Sequence, residues 1–207
     1  MNRLFLSLVC AAAVLFVQTA AAQDTTPDAL VKSVTEEVIA VIKQDQDIQA
    51  GNKRKTIALV EHKVLPHFDF ARMTALATGV NWRKATPEQQ TILVEQFRTL
   101  LVRTYSTALS AYRNQAIDIK PLRGRAGDAE VVVRSEVKQS GAAPMTIDYS
   151  MEKVPTGWKV YDVAVGGVSL VTTYRDTFTN EVRQGGIDGL IKSLGDKNRQ
   201  LETAEKK

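Results

Sequence analysis

Cysteine is nearly missing from this 207-residue chain, and the single one is Cys10. If residues 1–22 are a cleaved leader, the mature chain has none, which excludes disulfides, thiol chemistry and cysteine metal sites. Histidine is almost as scarce, with only His62 and His67, so a histidine general base must be one of these two. Neither a G-K-[ST] phosphate loop nor a G-x-G-x-x-G fingerprint is present. After residue 22 no apolar run approaches the roughly 20 residues that a membrane-spanning helix needs. Charge is balanced too: 27 Lys and Arg, one of them Arg3 in the leader, stand against 23 Asp and Glu. Lys53-Arg54-Lys55 and Arg123/Arg125 are too short to mark a nucleic-acid surface, and no nucleic-acid partner is expected.

What is present begins with the leader. A basic start (Arg3), an apolar run from Leu4 to Val17 and Ala20-Ala21-Ala22 before Gln23 have the plan of a secretory signal peptide cut after Ala22. Cys10 lies inside the apolar run behind the bulky Val9, which argues against lipid attachment there. An exported, soluble, periplasmic protein is expected, with residues 23–207 as one domain and 196–207 as a polar tail.

Thr26-Pro27-Asp28 opens a first helix with Val31, Val34, Val38 and Val41/Ile42 on one stripe. A second helix carries Ile57, Val60 and Val64 and stops before Pro66; a short third starts near Asp69 and ends at Gly79. Thr86-Pro87-Glu88-Gln89 combines a capping box with proline at the first helical position. It opens a long spine through Leu93, Phe97, Leu100/Leu101, Tyr105 and Tyr112. The period then changes to two over Ala116–Pro121, Glu130–Gln139, Met145–Val154 and Trp158–Val165, four strands with connections short enough for an antiparallel meander. A helix from Leu170 to Gly185-Gly186 and a last short helix through Leu194 follow. Helices, meander, helices make an α+β domain.

Chemistry is hard to find. Ser169 sits on a strand–glycine–helix turn, "VAVGGVSLV", but Leu170 and Val171 occupy the place of the second glycine of a nucleophile elbow. Capping the helix that starts at Leu170 is the competing role. His62 and His67, with Glu61 and Asp69, lack metal-ligand spacing, and Pro66 separates them. Glu36-Glu37 and Asp45/Asp47 fall on a polar helix face. Tyr112, Tyr149 and Trp158 could stack on sugars or bases, but packing is the role expected of them. Apolar residues stand on both faces of some strands: Val131-Val132-Val133, and Tyr161, Val163 and Val165 against Trp158 and Val160. A sheet covered by helices and a sheet curved round an apolar cavity both fit that pattern.

Four segments, "VLPHFDFARM" (64–73), "TGVNWRKATPEQQ" (78–90), "FRTLLVRTYSTALSAY" (97–112) and "YDVAVGGVSLVTTYRDTF" (161–178), together resemble the MlaC (toluene-tolerance) family of periplasmic phospholipid-binding proteins. The resemblance implies a curved antiparallel sheet of about four strands, of the nuclear-transport-factor-2-like or cystatin-like type, wrapped by about six helices over an apolar lipid cavity. It implies a non-enzymatic carrier without cofactor, whose cargo is a glycerophospholipid. Its partners would be an outer-membrane lipoprotein complex and the inner-membrane lipid-binding component of an ABC transporter. On that reading the wall comes from Val64, Phe70, Met73, Phe97, Leu101, Tyr105 and Leu109 of the helices. From the sheet and its exit come Val133, Ile147, Tyr149, Met151, Val163, Val165, Val168, Leu170 and Tyr174. Ser169 and Arg175 are the headgroup candidates. Two other readings remain open: a hydrolase or isomerase on the same sheet using Ser169 or His67, and an adaptor that binds a partner helix.

Overall fold

The computed structural model describes residues 25–110, 112, 115–122, 127–139, 141 and 143–205. The expected leader with Cys10, and also Arg113, Arg123 and Arg125, lies outside the described residues. These comprise six helices and five strands: α1 (Pro27–Gln44), α2 (Gln46–Gln49), α3 (Lys53–Lys63), α4 (Phe70–Thr78), α5 (Pro87–Ser110), β1 (Ala116–Ile119), β2 (Glu130–Lys138), β3 (Met145–Val154), β4 (Gly157–Val165), β5 (Val168–Ser169) and α6 (Leu170–Glu205). Short 3-10 turns at Leu65–His67 and Gly79–Lys84 flank α4.

Local chemistry sets the helix starts. The Thr26 hydroxyl caps α1, with Pro27 in the first turn. At α5 the capping box closes in both directions: Gln89 N–H donates to Thr86 Oγ1 at 3.2 Å and Thr86 N–H to Gln89 Oε1 at 3.0 Å. Asp69 Oδ1 accepts from Arg72 N–H at 2.8 Å to start α4, and Gly79 ends it with a φ of 60° that a side chain would resist. Of the carboxylates expected on the polar face of the first helix, Glu37 pairs with Lys63, whereas Asp45 and Asp47 lie past α1, at the cap and first turn of α2, and pair with Lys55.

The strands form one antiparallel meander in the order β1-β2-β3-β4-β5. The two-residue β5 is a fifth strand beyond the four expected; the Gly166-Gly167 turn, with φ of 57° and 83°, lets the chain fold straight back on Val165. Tyr149 faces Val163, but Met151 faces Val160, so Tyr161 is an extra residue in β4. This bulge corrects the expectation of two apolar faces. It resets the alternation, so that Trp158, Val160, Val163 and Val165 all pack in one cluster. Val132 stays on the other face and is half exposed.

Tyr161 turns instead towards Glu130, which accepts its hydroxyl proton at 3.2 Å, and the Arg72 guanidinium lies 3.6 Å from its ring centroid. Arg72 also pairs with Glu130 at 2.7 Å and with Glu152. One arginine of α4 thus ties the helical layer to the outer face of three strands. Beside it, Phe68 bridges to Val160, Asp69 N–H donates to the Val160 carbonyl at 2.8 Å, and the Lys159 ammonium donates to the Pro66 carbonyl.

Helical packing centres on the spine. Leu93, Phe97, Leu100 and Leu101 of α5 are buried with Met73 and Ala77 of α4 and with Val171, Phe178, Leu190 and Leu194 of α6. α6 breaks at Gly186 (φ 66°, ψ −167°), where Gly185-Gly186 was expected to end a helix. The segment from 196, expected as a polar tail, is helical through Glu205. Asn198 is buried in it, donating to the Gln96 carbonyl at 2.9 Å, and Leu201 packs on the helical core.

Replacing Arg72 with methionine keeps the stem and removes the charge. It is expected to cost about 1–2 kcal/mol at pH 7, the worth of one cation–π contact and partly exposed ion pairs, read as a lower urea midpoint. Arg72 holds the Glu130 carboxyl below the usual carboxylate range, chiefly by hydrogen bonding. That contribution is present above the unfolded carboxylate pKa and lost as pH falls through the lower folded value, so the gap between wild type and variant narrows in acid.

Candidate functional site

The register places the inner residues of the sheet in rows. Val131, Met151 and Val160 form one; Val133, Tyr149 and Val163 the next; then Ile119, Ser135, Ile147 and Val165; then Ile117, Val137 and Met145. Burial falls along these rows. Met151 is fully buried and Val160 is 3% exposed, whereas Met145 is 45% exposed. Phe68 covers the buried end, where it bridges to Val160, and Leu30 and Val31 of α1 pack on the same cluster. The other end carries the Gly166-Gly167 turn, where Gly166 N–H donates to the Thr146 carbonyl at 2.8 Å, and the start of β1. The inner face is therefore an apolar surface, covered by Phe68 at its most buried end and more exposed towards Met145.

Of the wall residues expected from sequence, Val133, Ile147, Tyr149, Met151, Val163 and Val165 share this face, and Leu170 packs against it. Phe70, Met73, Phe97, Leu101 and Tyr174 belong to the helical core instead. There the Phe97 ring meets Tyr174 and Phe178 edge-on at centroid distances of 5.1 and 5.0 Å. Val64 and Leu109 join the packing of α1, α3 and α5. Tyr105 is 39% exposed beside Tyr174. Burial, together with the neighbouring Tyr105, pushes the Tyr174 phenol up to about 12. Val168 is 61% exposed on the hairpin, a rim position outside the inner rows.

Phe68 was missed, and it is the side chain that joins the two layers: it packs against both the sheet cluster and the helical cluster and stacks on Phe70 at 5.7 Å. Val131, Val160, Trp158 and Ile119 were also missed as wall. Alternation with Val133 was the available signal for Val131; for Val160 and Trp158 the bulge hid it.

The hydroxyl of Ser169 donates to Asp162 Oδ2 at 2.6 Å and accepts from Thr172 N–H at 3.0 Å, while Asp162 Oδ1 accepts from Val171 N–H at 3.1 Å. The N-terminus of α6 is thus already occupied by a serine and a carboxylate of the protein itself. Ser169 therefore caps α6 with its proton held by Asp162, and no histidine is beside it. His67 is far from it: its neighbour Phe68 bridges to Val160, whereas Ser169 pairs with Ala164, roughly 13 Å further along β4. Burial, helped by the Lys159 charge, lowers the pKa of His67. Arg175 Nε donates to the Leu76 carbonyl at 3.2 Å, securing α6 to the end of α4.

Two open clefts of about 380 and 540 Å³ lie elsewhere, beside Lys192 and Asp196 and beside Asp45 and Lys55. Their charged linings cannot receive hydrocarbon. Among the described residues no group of His, Cys, Asp and Glu could hold a metal ion, and no helix is long and apolar enough to cross a membrane.

An apolar face of an antiparallel sheet, covered by a helical layer, defines an α+β protein whose inner surface suits an apolar ligand. Residues 32–196 match the family model described as MlaC protein, and the chain belongs to that family. It is 29% identical over 171 residues to the toluene tolerance protein ttg2D of Pseudomonas putida, covering 82% of this chain and 78% of that one. It is 24% identical over 185 residues to the intermembrane phospholipid transport system binding protein MlaC of Haemophilus influenzae, covering 88% and 86%. A solved phospholipid-binding protein of Ralstonia solanacearum, in complex with a phospholipid, is 44% identical with a TM-score of 0.79, over 84% of this chain and 98% of the other.

Ser169→Ala is expected to lower stability by about 1 kcal/mol, the worth of a lost N-cap. A thermal melt would show this as a drop of roughly 2–4 °C, with ligand retention unchanged. A variant that keeps its melting point but loses its ligand would contradict the cap assignment.

Proposed function

We propose that this protein is a periplasmic carrier that holds a glycerophospholipid by its acyl chains and passes it between membranes. The observation that carries this reading is the inner face of the sheet, apolar row upon row and increasingly buried from Met145 to Met151. The phospholipid in the Ralstonia relative supports it. On this reading residues 1–22 export the chain. An outer-membrane lipoprotein complex and the inner-membrane lipid-binding component of an ABC transporter would be the donor and acceptor.

The energetics suit such a task. At about 0.8 kcal/mol per buried CH₂, a two-chain lipid with on the order of 30 methylenes would lose more than 20 kcal/mol on entering water alone. A carrier therefore has to sheath the tails throughout transit, while the headgroup needs little from it. Non-covalent affinities level off near −18 to −21 kcal/mol, so release must be coupled to a lipid site on the partner. No cofactor takes part, and no bond is broken: Ser169 is a cap and His67 lies remote from it.

Mass spectrometry of an organic extract of the purified, undenatured protein is expected to yield about one equivalent of phospholipid. Lipid incubated with the protein is expected to return intact, with no fatty acid released. Absence of lipid, together with failure to take any up from vesicles, would overturn the carrier reading. Released fatty acid that disappears in Ser169→Ala or His67→Ala would favour a hydrolase.

A further inference from the structure

One polar pair interrupts the apolar inner face, and neither the family match nor the packing accounts for it. Ser135, fully buried on β2, lies one row from Tyr149 of β3 on the same side of the sheet. Its hydroxyl donates to the Ile147 carbonyl at 3.3 Å, and its oxygen is the hydrogen-bond neighbour of the Tyr149 phenol. The residues around the pair are Val133, Ile147, Val163 and Val165. A hydroxyl in such a setting is costly unless it is hydrogen-bonded, and a valine at 135 would suit the strand better.

Tyr149 keeps part of its surface reachable, yet burial dominates the upward displacement of its phenol pKa. The phenol is thus largely enclosed by protein while part of the side chain stays accessible on the inner face. A hydroxyl has one proton and two acceptor sites. With the Ser135 proton held by the Ile147 carbonyl, the Tyr149 phenol keeps its own proton, which can be directed at Ser135 Oγ or at an acceptor on a bound molecule.

Depth identifies that acceptor. The pair stands one and two inward steps below the rim row of Val137 and Met145, roughly 7–14 Å along the strands. In a diacyl lipid whose phosphate rests at the rim, the ester carbonyls are the first groups below the glycerol. They accept hydrogen bonds and have no proton to donate; beyond them there is only hydrocarbon. We propose that Ser135 and Tyr149 form an ester-recognition site that fixes how deeply the cargo sits and selects acyl esters over alkyl ethers. This rests on the carrier reading above.

The test is competitive uptake by the full chain from vesicles holding equal amounts of a diacyl (ester) phospholipid and its dialkyl (ether) analogue, with the same headgroup and chain length. Extracted lipid is counted by mass spectrometry. Wild type is expected to favour the ester roughly five- to tenfold, the factor that one net hydrogen bond supplies. In Tyr149→Phe the ratio is expected to fall to near one, and a circular-dichroism melt shows whether the variant is folded. Should that variant be unstable, Ser135→Ala is expected to reduce the ratio too. Equal uptake by wild type, or an undiminished ratio in a folded variant, overturns the proposal and leaves the carrier reading standing. Uptake of neither lipid overturns the carrier reading and the proposal with it.

Discussion

The single extra residue in β4 governs how the two layers meet. Without the bulge at Tyr161, strict alternation along β4 would put Trp158 and Val160 on one side of the sheet and Tyr161, Val163 and Val165 on the other. With it, the four apolar residues outside position 161 join the inner cluster and Tyr161 turns to Glu130 and Arg72. The same displacement therefore completes the apolar face and creates the outer clamp that binds α4 to the strands. Phe68 and Asp69 pair with β4 beside the bulge, so the buried end of the inner face depends on it as well.

From that arrangement follows a division of labour. Hydrocarbon contact supplies the free energy of holding a lipid and is indifferent to its chemistry, so apolar rows alone would bind any chain of suitable length. Directional polar groups can add selectivity only where water is excluded, and the Ser135–Tyr149 pair is placed where that condition holds. The helical cluster round Phe97, Phe178 and Tyr174 is packed edge to face and behaves as a frame. It keeps the spine rigid, while the sheet provides the surface proposed to meet the cargo.

Much of the frame was legible in the chain. The capping box at Thr86, the proline starts of α1 and α5, and the period change after α5 are local signals, and local chemistry determines them. The inner face was legible in part. Val133, Ile147, Tyr149 and Met151 came with the family resemblance and share the inner face, but Val160 and Trp158 were put on the wrong side, because a bulge leaves no residue signature here. Phe68 escaped notice because its role depends on a contact with β4, some 90 residues later, that periodicity does not encode. The spine residues Phe97, Leu101 and Met73 illustrate the reverse problem. An apolar stripe on a helix looks the same whether it faces a filled core or a ligand, and only the assembled packing distinguishes them. Ser169 was resolved by one distant partner, Asp162, which reaches the helix N-terminus from the neighbouring strand.

The central claim is that acyl chains lie along the inner face with their ends at the buried end. Trp158 sits there, beyond Met151 and Val160, and the chain's other tryptophan is Trp82. The direct measurement is tryptophan fluorescence in Trp82→Phe loaded with phospholipids brominated either near the ester or near the chain end, since bromine quenches only at close range. The account predicts strong quenching of Trp158 by the terminal bromines and weak quenching by those near the ester. Equal quenching by both, or none from the chain ends, would contradict it.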